Sequence, residues 1–231
     1  MIAFELCGVA ISALLFFAYW RTILHASTRT PLRTTRGTMD AVRRSWITTN
    51  LNKGMVPVNT LRDWISSAQW MGGQALLVAV GVSGYAVSAA SSVHGTIAWR
   101  LDLNFLLFLK LLALVALQAF NFFSFVQAVR YYGHVSFLMN AKEVNGRPVT
   151  DELVWVFMKR ATRGWSSGFR GLLSTWPLLV WVFGPVWLVL ATLVLVVVLR
   201  QLDYGEVPYS HPEGCTHRQH VWDLVSIRGG P

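Results

Sequence analysis

The chain has 231 residues, of which 54% are hydrophobic and only 13% charged, with a formal net charge of +9. Soluble domains carry about 25% charged residues, so the composition argues against an ordinary soluble protein. The excess charge does not point to nucleic acid either, because the Arg residues are distributed around apolar runs and no nucleic-acid motif accompanies them.

Four apolar stretches meet the requirement of about 20 residues for a spanning helix, whose backbone must satisfy its own hydrogen bonds in hydrocarbon. The first is Ile2 to Trp20. It carries Glu5 instead of a basic start, lacks a small-residue cleavage site and is followed by Arg21, so it reads as a retained anchor and not a signal peptide. The next segment, with Met39, Val42, Trp46 and Ile47 on one arc and Arg36, Asp40, Arg43 and Arg44 on the other, predicts an amphipathic helix at the headgroup boundary. Asn50 to Gly54 and Pro57 should end it, and Thr60 with Asp63 suggests that the next helix starts near Leu61. That helix contains the second run, Trp70 to Ala90, in which Ala75, Ala79 and Ser83 form a small-residue face.

The third run, Leu103 to Val129, continues without a break into Arg130-Tyr131-Tyr132-Gly133-His134-Val135-Ser136-Phe137. A turn at Asn145 to Pro148 and the acids after Thr150 then predict a further helix start. From Leu153 to Leu173, basic and aromatic residues mix with Gly164, Gly168 and Gly171, which favours a re-entrant or surface-lying hairpin. The fourth run, Leu178 to Leu199, opens after Pro177 and should kink at Gly184-Pro185. The tail, residues 204–231, reads as weakly ordered and outward-facing.

The expected fold is therefore all-α: a polytopic helical membrane protein with four transmembrane helices in residues 1–203 and amphipathic cytoplasmic loop helices. Lys and Arg concentrate in the two long loops, which the positive-inside rule assigns to the cytoplasm of a cell or bacterial inner membrane, with both termini outside.

Several residues are candidates for function. On a helical wheel Lys110, Asn121, Ser124 and Tyr132 fall within roughly 80°, with Gln118 at the edge. Such a polar stripe suits either interhelical hydrogen bonds or a wet path. Glu5 and Lys110 lie at similar depth and form a candidate ion pair, with snorkelling of Lys110 as the competing reading. At the other end Arg62, Arg130, Tyr131, Tyr132, His134 and Ser136 supply donors suited to an anionic headgroup, or simply anchor the helix at the interface. No cofactor or metal is expected; His211, Cys215, His217 and His220 are metal-capable side chains at short spacing, but a weakly ordered tail seldom presets a site.

The strings Thr60-Leu61-Arg62, Phe120-Asn121, Arg130-Tyr131-Tyr132-Gly133-His134-Val135-Ser136-Phe137, Trp176-Pro177 and Trp181-Val182-Phe183-Gly184-Pro185, with a final Leu202-Asp203, resemble the family catalogued as domain of unknown function 599. The resemblance covers roughly residues 10 to 203 and implies a multi-pass membrane protein, with no activity to transfer. The leading functional expectation is a non-enzymatic protein that binds membrane lipids, or a membrane partner or second copy, at its cytoplasmic face. The alternative is a small oligomeric transporter or channel along the stripe of the third helix. A third is a membrane enzyme acting on headgroups with His134 as general base, although no nucleophile or metal cluster stands beside it in the sequence.

Overall fold

The computed structural model describes residues 2–29, 34–93, 104–144 and 146–204. Six helices account for nearly all of them: α1 (Ile2–Arg29), α2 (Thr35–Asn50), α3 (Met55–Val93), α4 (Asn104–Leu138), α5 (Asp151–Val180) and α6 (Pro185–Asp203). A two-residue antiparallel ladder, β1 (Glu143–Val144) with β2 (Arg147–Pro148), joins α4 to α5. Four helices are long and apolar enough to cross a membrane: α1 over Ala3–Ile23, α3 over Pro57–Ser88, α4 over Leu106–Leu138 and α6. The protein is an all-α polytopic fold. The weakly ordered tail expected after Tyr204 lies outside the described residues.

Local chemistry sets the boundaries. Thr34 caps α2 by accepting from the Gly37 N–H, and Thr150 caps α5 by accepting from the Leu153 N–H at 3.4 Å, with Asp151 and Glu152 in the first turn. Between α2 and α3 the chain reverses through Asn52 and Gly54, both with positive φ. α3 then begins at Met55, earlier than Thr60 suggested. Pro57 is tolerated there because a first-turn N–H has no intrahelical partner to lose.

α4 is the central helix, packed between α3 and α5 along most of its 35 residues. Against α3 it sets Phe125 beside Gly72, and Tyr132 on Trp64 with ring centroids 6.2 Å apart. Against α5 the fit depends on glycine. A Cβ on Gly164 would lie 2.9 Å from the Ser124 carbonyl oxygen, and one on Gly168 would lie 2.8 Å from the Phe125 ring. Gly171 accommodates the Asn121 side chain. These glycines bring two helix backbones close, as in other small-residue membrane interfaces.

That packing corrects two expectations. Residues 153–173 form no hairpin; they belong to one continuous 30-residue helix, because Gly164, Gly168 and Gly171 serve interhelical contact and not turning. Residues 178–184 do not open the last span either. Trp181–Phe183 form a 3-10 turn, Gly184 takes φ +132°, and Pro185 starts α6 at a position suited to proline. The expected kink is a reversal, and α6 runs back antiparallel to α5.

The course of α6 also separates the two ends of the described chain. Pro185 lies against Gly8 near the start of α1, while Asp203 is bonded to Tyr19 and Arg170. The starts of α1 and α6 thus share one end of the bundle, here the Glu5 end. The end of α6 lies toward the other, the loop end.

α4 at 1.5 Å per residue is about 52 Å long, well beyond a hydrocarbon core of about 30 Å. Its last turns, the first turns of α3 and α5, and α2 form a second packed region at the loop end, while the β ladder stays exposed. Ile47, Leu61, Tyr132, Val135, Met139, Val154 and Met158 are buried together there. α2 is amphipathic as expected, with Ile47 in this core while Met39 and Val42 stay exposed.

Candidate functional site

Three polar assemblies stand out in the bundle. The first, near the Glu5 end, joins three elements. Lys110 Nζ lies 3.0 Å from Glu5 Oε1 and donates at 3.0 Å to the main-chain carbonyl of Trp181, while Trp181 Nε1 donates at 2.9 Å to Glu5 Oε2. The ammonium also sits 5.1 Å from the centroid of the Trp181 ring. Lys110 is 6% exposed. Its charge is met by a carboxylate, a helix-terminal carbonyl and an aromatic face, which lowers the cost of burying it.

The second assembly is the stripe on α4. Asn121 Nδ2 donates to Gln118 Oε1 at 2.9 Å, Gln118 Nε2 donates to Thr175 Oγ1 at 3.3 Å, and the Thr175 hydroxyl donates to the Gly171 carbonyl at 3.3 Å. Gln118 is 1% exposed and Asn121 0%. Asn121 Oδ1 has no hydrogen-bond partner and fills the space at Gly171. Ser124 contributes its main-chain carbonyl to the close approach of Gly164. Within one chain the stripe is a closed seam between α4 and α5.

The third assembly ties α1, α5 and α6. Arg170 Nη2 pairs with Asp203 Oδ1 at 2.6 Å, the Tyr19 hydroxyl donates to Asp203 Oδ2, and the Arg170 guanidinium stands 5.9 Å from the centroid of the Trp20 ring. The sequence reading missed this clamp, since it placed Arg170 in a loop and Asp203 at the far side of the membrane. A signal was available: a carboxylate at the end of an apolar run and an Arg flanked by small and apolar residues.

The string from Arg130 to Phe137 divides between two faces, as its helical period requires. Tyr132, 2% exposed, belongs to the core against Trp64 and is not a surface donor. Tyr131 and His134 turn toward α5, where both rings meet Phe157, and the Arg160 guanidinium lies 5.8 Å from the Tyr131 centroid. Arg130 is exposed, and Ser136 is half-buried with its carbonyl accepting from Asn140 Nδ2. Arg62 is exposed on α3. Neither Arg62 nor Arg130 makes a hydrogen bond or ion pair shown among the described residues.

What α5 adds is a shallow open groove, about 230 Å³, formed by Glu152, Trp155, Val156, Lys159, Arg160 and Arg163. Lys159, Arg160 and Arg163 line it together, whereas Glu152 is engaged by Arg44 at 2.7 Å. The resulting flank presents cations, an imidazole and flat rings, which suits oxyanions recognised by charge-assisted hydrogen bonds. Among the described residues no three His, Cys, Asp or Glu side chains gather as metal ligands; the His and Cys of the tail lie outside them.

Fold and clamps together define a multi-pass helical membrane protein whose interior charges are paired. A family model described as "Protein of unknown function, DUF599" matches residues 7–207, and the chain belongs to that family. No curated protein and no solved structure matches it.

Proposed function

We propose that the protein binds anionic lipid headgroups at the loop end of the bundle, on the flank of α4 and α5 formed by Arg130, Tyr131, His134, Lys159, Arg160 and Arg163, and that this end faces the cytoplasm. The observation that carries the reading is Arg160 stacked over Tyr131 beside His134, with Lys159 and Arg163 open to the same groove. Among the described Lys and Arg, all but Lys110 lie toward the loop end, in keeping with a cytoplasmic assignment.

Each basic side chain near an anionic surface contributes about 1 kcal/mol. Replacing Arg160 and Arg163 together with Ala should therefore cost about 2 kcal/mol, on the order of 30-fold in relative affinity. The test reconstitutes the protein in equal phosphatidylglycerol and phosphatidylcholine and measures the lipids retained on re-extraction by mass spectrometry. Enrichment of phosphatidylglycerol that R160A/R163A abolishes is the expected result. Equal retention of the two lipids by the unmodified protein contradicts the proposal.

A further inference from the structure

We infer that residues 166–184 are a fifth membrane-embedded segment whose outer surface contacts lipid hydrocarbon, so that the chain leaves α6 on the side of the two basic loops and opposite Ile2. Four observations converge. α5 follows α4 from the loop end to Lys110, where the Trp181 carbonyl is bonded. Its other side is covered by α6, with Arg170 at Asp203 and Leu173 packed near Leu195. α4 and α6, the helices on either side, are both apolar enough to span. Finally, from Arg170 onward the surface left open is apolar: Trp176, Leu179, Val182 and Phe183, the last 79% exposed.

The hydroxyls and the charge from Arg170 to Thr175 are satisfied internally, as hydrocarbon demands. Ser174 donates to the Arg170 carbonyl at 2.9 Å, Thr175 bonds Gly171 and receives Gln118, and Arg170 is paired. The polar clamps at Tyr19 and at Glu5 are separated along α1 by 14 residues, about 21 Å at 1.5 Å each. That is two-thirds or more of a hydrocarbon core of about 30 Å. Whether the turn at Trp181–Phe183 reaches the far headgroups or ends just beneath them, α6 must return to the loop side. Exposed Arg200 and exposed Arg21 then both lie toward that interface, strengthening the positive bias of one side. Nothing in this inference depends on headgroup binding.

The test uses the native Cys215 in a Cys7→Ser background, which leaves it as the one thiol. The reference is a separate Thr49→Cys variant in which both native cysteines are replaced by Ser. In sealed vesicles of known orientation, a membrane-impermeant maleimide should label Cys215 from the same side as it labels the Thr49→Cys variant. A cysteine added ahead of Met1 should be labelled from the opposite side. Labelling of Cys215 from the side opposite Thr49→Cys overturns the inference. As a second readout, a spin label at Leu179→Cys should lose more signal to oxygen than to a water-soluble nickel chelate; the reverse order would place α5 in water and equally reject it.

Discussion

Gly171 offers the sharpest test of how α5 meets α4. A methyl group added there would lie 2.8 Å from Asn121 Cγ and closer still to Oδ1, in a place where Asn121 is 0% exposed and held by Gln118. Overpacking of this kind costs about 1–3 kcal/mol. If the amide swings away, the Asn121 to Gln118 bond is lost too, about 0.6 kcal/mol for a side-chain hydrogen bond in a membrane protein. Gly171→Ala should therefore destabilise by about 2–4 kcal/mol. At roughly 2–4 °C per kcal/mol for a chain of this size, the midpoint should fall by about 5–15 °C. The assay is the monodisperse fraction surviving a heating series in mild detergent. Gly73→Ala is the control, because a Cβ there meets nothing within 4 Å and Ala favours the helix. Asn121→Ala combined with Gly171→Ala should regain part of the loss by vacating the contested space. Equal stability of Gly171→Ala and Gly73→Ala would refute the close approach.

Further outcomes follow from the two clamps. Glu5→Gln leaves Lys110 buried with a neutral partner and should cost about 3–5 kcal/mol, as when one member of a buried pair is removed; the heating series checks it. Exchanging the charges, Glu5→Lys with Lys110→Glu, should recover only part, because the Trp181 carbonyl would then face a carboxylate. No recovery would mean that the pair itself contributes little. Asp203→Asn should loosen α6 from α1 and α5, seen as a lower midpoint in the same heating series, whereas Tyr19→Phe should lose only about 1 kcal/mol, one hydrogen bond's worth. Raising salt should weaken phosphatidylglycerol enrichment while leaving both clamps intact, because exposed charges are screened more than buried ones.

Much of the architecture was legible in the sequence, because a spanning helix announces itself as a long apolar run. Glu5 and Lys110 could be matched because each is a charge at a definite depth within such a run. α5 was not legible as a bundle helix for the same reason in reverse. Gly164, Gly168, Gly171, Ser174, Thr175 and Arg170 lower its hydropathy and mimic a loop, yet each is consumed in contact with α4, α6 or its own backbone. Reading α5 as a loop also hid the Arg170 to Asp203 pair. Tyr132, about 100° of helical rotation from Tyr131, lies on the stripe side of α4 and is buried against Trp64.

The placement of α5 along α4 underlies the account, and a cysteine pair tests it most directly. Gln118 and Thr175, whose side chains are hydrogen-bonded at 3.3 Å, should crosslink through a short, membrane-permeant bifunctional thiosulfonate in native membranes as Gln118→Cys with Thr175→Cys in a Cys7→Ser, Cys215→Ser background. The bond would hold the two halves together after proteolysis between α4 and α5. Arg44→Cys with Glu152→Cys serves as the reference pair at the loop end. Crosslinking at the reference pair but none between positions 118 and 175 would contradict the account.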